Sequence, residues 1–469
     1  MKNFFYILFI FSICYKSADA QILFEKNYTV SGDISTCTSV ITTSDGGYAA
    51  CGYTFTPTQI GDYFLKTDSK GNSSFNGYIN MPDGTANTIL QVSGGYLLGG
   101  NATVGSVTGA SITKIDGSGN ISWTKFMGNM AGNVTSMEPT TDGGFIVGIS
   151  AIVGSSPVGA VAKINSTGDT LWTIMLSNQY VYTVNSVKQT SDGGFILTGA
   201  AELSPSDGAY LVKMTSAGKI SWMAQYPYYY NSAGNSVIQT ADGGYAIAGT
   251  MFQGSGHTNI EVVKTDSKGD TTWTKQIGNL SSEAAMTILQ TKDGGYVLGS
   301  IVPGTHAGNT IPHPALMKIT STGNVKWIRT YGTNWYNSFA DMKATSDGGY
   351  ILAVNCSDSI HQSDLQATLI KTDSSGLSGI NEQGEKSFST LSVFPNPAHS
   401  IATFQINGFL VGSSYNFTLY NLQGNIINSI SNIKSNRFDA NVSGLPRGIY
   451  IYKFVDENGG FSNGKIEIE

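Results

Sequence analysis

Ser236-Val237-Ile238-Gln239-Thr240-Ala241-Asp242-Gly243-Gly244-Tyr245, then Val262-Val263-Lys264-Thr265-Asp266-Ser267-Lys268-Gly269, then Trp273: this stretch is one copy of a unit that the chain repeats seven times. Its Asp-Gly-Gly element recurs at Asp45, Asp142, Asp192, Asp242, Asp293 and Asp347, with Ser93-Gly94-Gly95 as the variant copy. A lysine follows each time, at Lys66, Lys114, Lys163, Lys213, Lys264, Lys318 and Lys371. Nine positions after each lysine stands Phe75, Trp123, Trp172, Trp222, Trp273, Trp327 or, in the last copy, Ile380. A period of about fifty residues signals a propeller, a solenoid or an array.

Turn chemistry decides among them. Each unit holds four strand signals; in the fifth copy they are Asn235–Thr240 (a), Tyr245–Thr250 (b), Ile260–Thr265 (c) and Thr271–Ile277 (d). Gly-Gly between a and b, and Asp-x-x-Gly between c and d, supply the positive φ of tight hairpins. Four antiparallel strands at this period make a propeller blade. The seventh copy runs through a (Asp341–Thr345), b (Tyr350–Asn355) and c (Ala367–Thr372), then loses its outer strand at Leu377-Ser378-Gly379. The beginning of the chain supplies what is missing, because Phe24-Glu25-Lys26 aligns with Trp123-Thr124-Lys125 and Trp273-Thr274-Lys275. The expected fold is all-β: a seven-bladed β-propeller of four-stranded blades closed by the N-terminal strand, which removes the open edges of the array.

Composition narrows function. Only 12% of the 469 residues are charged and the net charge is −6, which gives no electrostatic case for nucleic acid or for a polybasic membrane surface. Residues 1–20 read as a signal peptide: Lys2, an apolar stretch from Phe4 to Ile13, and Ala18-Asp19-Ala20, with cleavage between Ala20 and Gln21. No later run reaches the roughly 18 apolar residues of a transmembrane span. Cys37, Cys51 and Cys356 follow the signal peptide. Cys37 before strand a of blade 1 and Cys356 at the end of strand b of blade 7 lie on the same face of adjacent blades, a possible disulfide that would staple the closure.

The repeated tryptophans read as packing between blades. The Asp-x-x-Gly-x-x-x-Trp run resembles the tryptophan-docking element of quinoprotein propellers, one residue shorter, and differs from the sialidase Asp-box, so neither a cofactor nor an active site carries over. Each repeat lysine is expected to pair with the Asp-Gly-Gly carboxylate of its own blade, as an exposed pair contributing about 0–1 kcal/mol. Blade 2, with Ser93, is expected to lack it.

Antiparallel order places the a–b and c–d turns on one uniform face and the b–c and d–a loops on the other, where the copies differ. Binding residues usually sit on such loops. The candidates are Tyr228, Tyr229 and Tyr230 between blades 4 and 5, Trp335 and Tyr336 between blades 6 and 7, and the b–c histidines His306, His313 and His361. Tyr180, Tyr182 and His257 lie on the same face. Exposed Tyr and Trp suit a sugar ring or a protein partner; they equally suit packing of loop on loop. The histidines show no tight ligand spacing such as His-x-x-x-His, so no metal and no cofactor is expected.

After a polar linker at 379–389, residues 390–469 hold seven strand signals, near Leu391–Phe394, Ile401–Ile406, Tyr415–Leu422, Asn425–Ile430, Arg437–Ala440, Gly448–Phe454 and Phe461–Glu467. So many in so short a span read as a small Ig-like β-sandwich. Leu391-Ser392-Val393-Phe394-Pro395-Asn396-Pro397-Ala398, Tyr420-Asn421-Leu422-Gln423-Gly424, Leu445-Pro446-Arg447-Gly448-Ile449-Tyr450 and Lys465-Ile466-Glu467-Ile468 occur in that order. This set resembles a type A C-terminal sorting domain of the type IX secretion system. The resemblance implies passage through the periplasm and recognition by the outer-membrane secretion machinery. It assigns the sorting motif to Pro395, Asn396, Pro397, Gly424, Leu445, Gly448 and Tyr450, none of them catalytic.

The expected organisation is a signal peptide at 1–20, a propeller at 21–378, a linker at 379–389 and the sorting domain at 390–469. The expected function is a secreted or surface-displayed, non-enzymatic module that binds a glycan or a protein. Two alternatives stand beside it. One is a structural spacer. The other is an extracellular carbohydrate-active hydrolase or lyase, for which the candidate acids Glu202, Asp207, Glu283, Asp358 and Asp364 are scattered over several blades.

Overall fold

The computed structural model describes residues 23–378 and 390–469, apart from 31–33, 56–59, 83, 129, 177–180, 202–207, 227–231, 253–256, 279–281, 307–308, 333–335, 358–364, 408–413, 422–424 and 457–460. The described elements are all β-strands. In blade 5 the strands are Ser232–Gln239 (a), Tyr245–Phe252 (b), Thr258–Thr265 (c) and Thr271–Ile277 (d), joined in that order into one antiparallel sheet. Strands b and c are almost wholly buried because a neighbouring blade covers each face. Strand b therefore reads as a near-continuous run of apolar or small residues, strand c encloses Asn259, Glu261 and Lys264 as well, and strand d is exposed or half-buried throughout.

Six more sheets repeat this order. In blade 4, strand b breaks into Phe195–Thr198 and Ala200–Ala201 around Gly199, where a Cβ would stand 2.1 Å from the Thr183 carbonyl oxygen. The seventh sheet is Tyr336–Ala344, Tyr350–Ser357, Gln366–Thr372 and, as its outer strand, Phe24–Tyr28. Phe24 pairs with Lys371 in the same register in which Trp273 pairs with Lys264 and Trp327 with Lys318. Each strand a touches the strand a of both neighbours, and Ile34–Thr42 of blade 1 touches Tyr336–Ala344 of blade 7. The circle is closed.

Two sets of contacts hold blade to blade. Each outer-strand aromatic lies against the positive-φ glycine of the next blade's c–d turn: Phe24 on Gly71, Phe75 on Gly119, Trp123 on Gly168, and likewise around to Trp327 on Gly376. A Cβ at Gly168 would stand 2.5 Å from the Trp123 ring, so the glycine is required both for its φ of +87° and for the close approach. On the inner strands, bulged residues donate to the next blade's carbonyls. Thr38 Oγ1 reaches Ala86 O at 2.6 Å, Asn87 Nδ2 reaches Val134 O at 3.1 Å and Asn235 Nδ2 reaches Ala285 O at 2.9 Å.

The seam between blades 7 and 1 differs. Asn355 accepts from Cys37 N at 2.6 Å and donates to Cys37 O at 3.0 Å, while Asp341 accepts from Ser39 Oγ and Val40 N. This pairing overturns the expected Cys37–Cys356 disulfide. Strand alternation turns Asn355 toward Cys37, whereas Cys356 faces the apolar cluster shared with blade 6 and Cys37 the cluster shared by blades 7 and 1. The blade-7 sheet stands between the two thiols.

The C-terminal unit is a sandwich of a three-stranded sheet (Thr390–Phe394, Ile401–Asn407, Arg437–Asn441) and a four-stranded one (Ile426–Ile433, Tyr415–Tyr420, Gly448–Asp456, Phe461–Ile468). Phe404, Phe417, Phe438, Tyr452 and Phe454 fill the space between them.

Candidate functional site

Two regions carry chemistry: the sandwich and the two faces of the propeller. In the sandwich, two of the four sequence elements converge on a third, the terminal strand. Asn396 Oδ1 accepts from Glu467 N at 2.9 Å, and Ala398 both donates to Glu467 O and accepts from Glu469 N. The peptide bonds preceding Pro395 and Pro397 are both cis. From the other side Gly448 pairs with Ile468 and Tyr450 with Ile466. The Tyr450 hydroxyl returns to Pro446 O at 2.9 Å, and Leu445 packs on the core. Gly424 lies outside the described residues.

Residues 392–469 match the model of the secretion system C-terminal sorting domain. This segment is a type IX sorting domain. It directs export to the cell surface or extracellular space and engages the type IX secretion machinery. No helix among the described residues is long and apolar enough to cross a membrane. On the outer face of its four-stranded sheet, Ile426 (64% exposed) and Ile451 (39%) flank Tyr420, with Ile449 (45%) nearby.

Similar solved structures include Sqt1 from Chaetomium thermophilum, at 9% identity over 74% of this chain and 98% of that one, with a TM-score of 0.46. A puromycin hydrolase mutant complexed with PGG is similar at 12% identity over 79% of this chain and 58% of that one, with a TM-score of 0.45. Comparison with curated proteins gave no match.

Of the residues expected on the variable face, Tyr180, Tyr228, Tyr229, Tyr230, Trp335 and His361 lie outside the described residues, as do Glu202, Asp207, Asp358 and Asp364. Tyr336 opens strand a of blade 7, and His306 pairs with Asn309 at the tip of the blade-6 b–c hairpin. Tyr182 and His257 are half-buried. His313 is a correction: it is buried, with Nδ1 at 3.1 Å from Gly332 O and its ring packed over Gly304, so it anchors the hairpin instead of facing a ligand. Glu283 is buried too, with its backbone N–H bonded to Thr258 O. Among the described residues no three His, Cys, Asp or Glu side chains gather as a metal site.

The variable face instead presents apolar hairpin tips. Phe55 in blade 1, Val104 and Val107 in blade 2, Ile152 and Val153 in blade 3, and Phe252 in blade 5 are 39–55% exposed. Turn glycines Gly105 and Gly154 are a sequence signal for the hairpins of blades 2 and 3, whose aliphatic flanks, like the aromatic Phe55 and Phe252, are not among the residues expected from the sequence.

On the uniform face, six lysines pair with their own blade's carboxylate at 2.7–3.0 Å. The pairs are not exposed as expected. The lysine side chains are only 2–11% exposed, although the aspartates remain 39–63% exposed. A threonine two residues before each aspartate and the second turn glycine also donate to it, as Thr140 and Gly144 do to Asp142. These donors, with Lys163, hold Asp142 at about 2, against a small opposing effect of burial. The threonine recurs at Thr43, Thr140, Thr190, Thr240, Thr291 and Thr345, a signal visible in the sequence and not used.

Two buried carboxylates escaped sequence reasoning. Asp62, 3% exposed on strand c of blade 1 (Ile60–Thr67), accepts a backbone bond from Ala86 while its Oδ1 has no partner. Desolvation pushes it up to about 8. Glu261, also 3% exposed, is pushed up to about 7 by burial against one bond from Ser232.

Proposed function

We propose that residues 21–378 form a non-enzymatic binding module, carried outside the cell by the domain at 390–469 after removal of residues 1–20, and that its variable face takes a glycan or a protein. The observation that carries this reading is the set of apolar hairpin tips, Phe55, Val104, Val107, Ile152, Val153 and Phe252, held in water by rigid blades. Exposed apolar side chains gathered on one face mark interaction surfaces. The proposed surface extends to Tyr228–Tyr230, Trp335–Tyr336, His306 and His361, which the order of the repeat in the sequence assigns to the same side. The test is binding of the secreted chain to a glycan array and to candidate surface proteins, repeated with Val107→Asp and Phe252→Asp. The module reading requires a ligand that either variant loses. Release of sugar from a bound glycan would favour the hydrolase or lyase, and absence of any ligand would favour the spacer.

A further inference from the structure

Blade 3 ends in an outer strand, Thr170–Met175, that differs from its counterparts in what it shows to solvent. It pairs with strand c, Ser156–Ile164, and among the described residues with no other strand. Leu171 is 58% exposed and Met175 47%, with the exposed Thr173 between them. Their places in the repeat, one before and three after the outer aromatic, are held by Ser221 and Gln225 in blade 4, Thr272 and Gln276 in blade 5, and Lys326 and Thr330 in blade 6. Among the described residues of the other outer strands, Ile121 of blade 2 is the most exposed large apolar side chain, at 39%, and Lys125 follows it on that strand.

The backbone of this edge is open as well. Leu176 N donates to Gly159 O at 2.9 Å, so along the antiparallel ladder Ile174 also turns its N–H and C=O toward strand c. Thr173 and Met175, by alternation, turn theirs outward. Edge strands are ordinarily guarded by charge, proline or cover. The closing strand carries Glu25 and Lys26, blade 5 Lys275, and blade 6 Lys326 and Arg329. The stretch from Thr170 to Leu176 holds no charged residue and no proline.

We propose that this edge pairs with the same edge of a second copy of the chain, antiparallel about a two-fold axis through Thr173, so that the two blade-3 sheets run on as one. In this register Thr173 exchanges both backbone hydrogen bonds with Thr173 of the second copy, and Leu171 of each copy lies opposite Met175 of the other. Self-complementarity selects the occupant. The two exposed apolar residues stand two positions to either side of Thr173, so a single two-fold covers all four and encloses no charge. The acid that precedes the strand, Asp169, is already bound to Lys125 at 2.6 Å. An edge this short makes a weak, reversible dimer. It lies on the rim of the ring and does not depend on what the variable face binds.

The test is sedimentation velocity of the folded chain over a wide concentration series. The expected result is a monomer–dimer equilibrium whose dissociation constant rises at least ~10-fold in Leu171→Lys and in Met175→Lys, each of which sets a charge in the pairing edge. Both positions are exposed, so the melting temperature of the dilute chain stays that of the wild type. Phe252→Asp, on the variable face, leaves the dimer unchanged. Thr173→Cys becomes a covalent dimer under diamide, because the Cα atoms of such a pair stand about 5.5 Å apart, within reach of a disulfide. Thr272→Cys, exposed on the outer strand of blade 5, does not, and the natural Cys37, Cys51 and Cys356 are buried. A chain that stays monomeric at every concentration, a dimer that survives both lysine variants, or a dimer lost with Phe252→Asp overturns the proposal. Cross-linking of Thr272→Cys as fast as Thr173→Cys overturns it too. A lysine-sensitive dimer in which Thr173→Cys fails to cross-link overturns the two-fold register.

Discussion

Asp62→Asn separates a buried acid from its pH dependence. Asp62 is 3% exposed between blades 1 and 2, has one backbone donor and one unpartnered oxygen, and titrates near about 8 in the folded chain. In the unfolded chain an aspartate titrates near ~3.9. Between these values the folded state holds a proton that the unfolded state has released. Stability therefore falls as pH rises through this window, by about 1.4 kcal/mol per unit. From about pH 5 to pH 8 the loss from Asp62 alone comes to ~3–4 kcal/mol. Glu261, raised to about 7, adds a smaller loss in the same direction. The paired aspartates lie outside the window, because their depressed values, such as about 2 for Asp142, cost stability only below about pH 4. The assay is urea unfolding of the secreted propeller at pH 5 and pH 8. Asp62→Asn should match the wild type within ~1–2 kcal/mol at the lower pH and exceed it at the higher. A wild-type stability that is flat across the window, or a variant that keeps the full slope, refutes the reasoning.

Asp192→Ala orphans Lys213, whose side chain is 8% exposed and retains only Met214 O at 3.1 Å; it should cost about 1–3 kcal/mol in urea unfolding, whereas Ser93→Ala in blade 2 should cost less than ~0.5 kcal/mol. Gly269→Ala combines a φ of +90° with a Trp222 ring 2.8 Å from the new Cβ, so it should destabilise by ~2 kcal/mol or more in the same assay. In the sorting domain, Ile451→Asp should leave the buried core intact by circular dichroism yet lower the secreted fraction in cell fractionation, if the Ile426–Tyr420–Ile451 face meets the machinery.

The architecture was legible because each blade announces itself three times, through its turn glycines, its lysine and its outer aromatic. The seven sandwich strands were legible for a similar reason, since apolar alternation along strands such as Tyr415–Tyr420 marks the inward side. Strand ends were less so. Strand a of blade 5 begins at Ser232, not Asn235, because a bulge at Asn235 breaks the alternation on which the expectation rested. Asp62 and Glu261 were invisible for a related reason: both faces of strand c are buried, so no alternation marks a polar residue there as enclosed. The Lys–Asp pairs were foreseen, but not their depth, which follows from the threonine and glycine donors that fold the carboxylate over the lysine.

The closure by Phe24–Tyr28 is tested most directly by hydrogen exchange of the folded chain, read on the peptide that contains Glu25, Lys26 and Asn27. These residues pair with Ile370, Leu369 and Thr368, so their amides should be protected as strongly as those of Thr271–Ile277, the outer strand of blade 5. Exchange at the rate of an unstructured segment would contradict the closed circle and the two-face arrangement built on it.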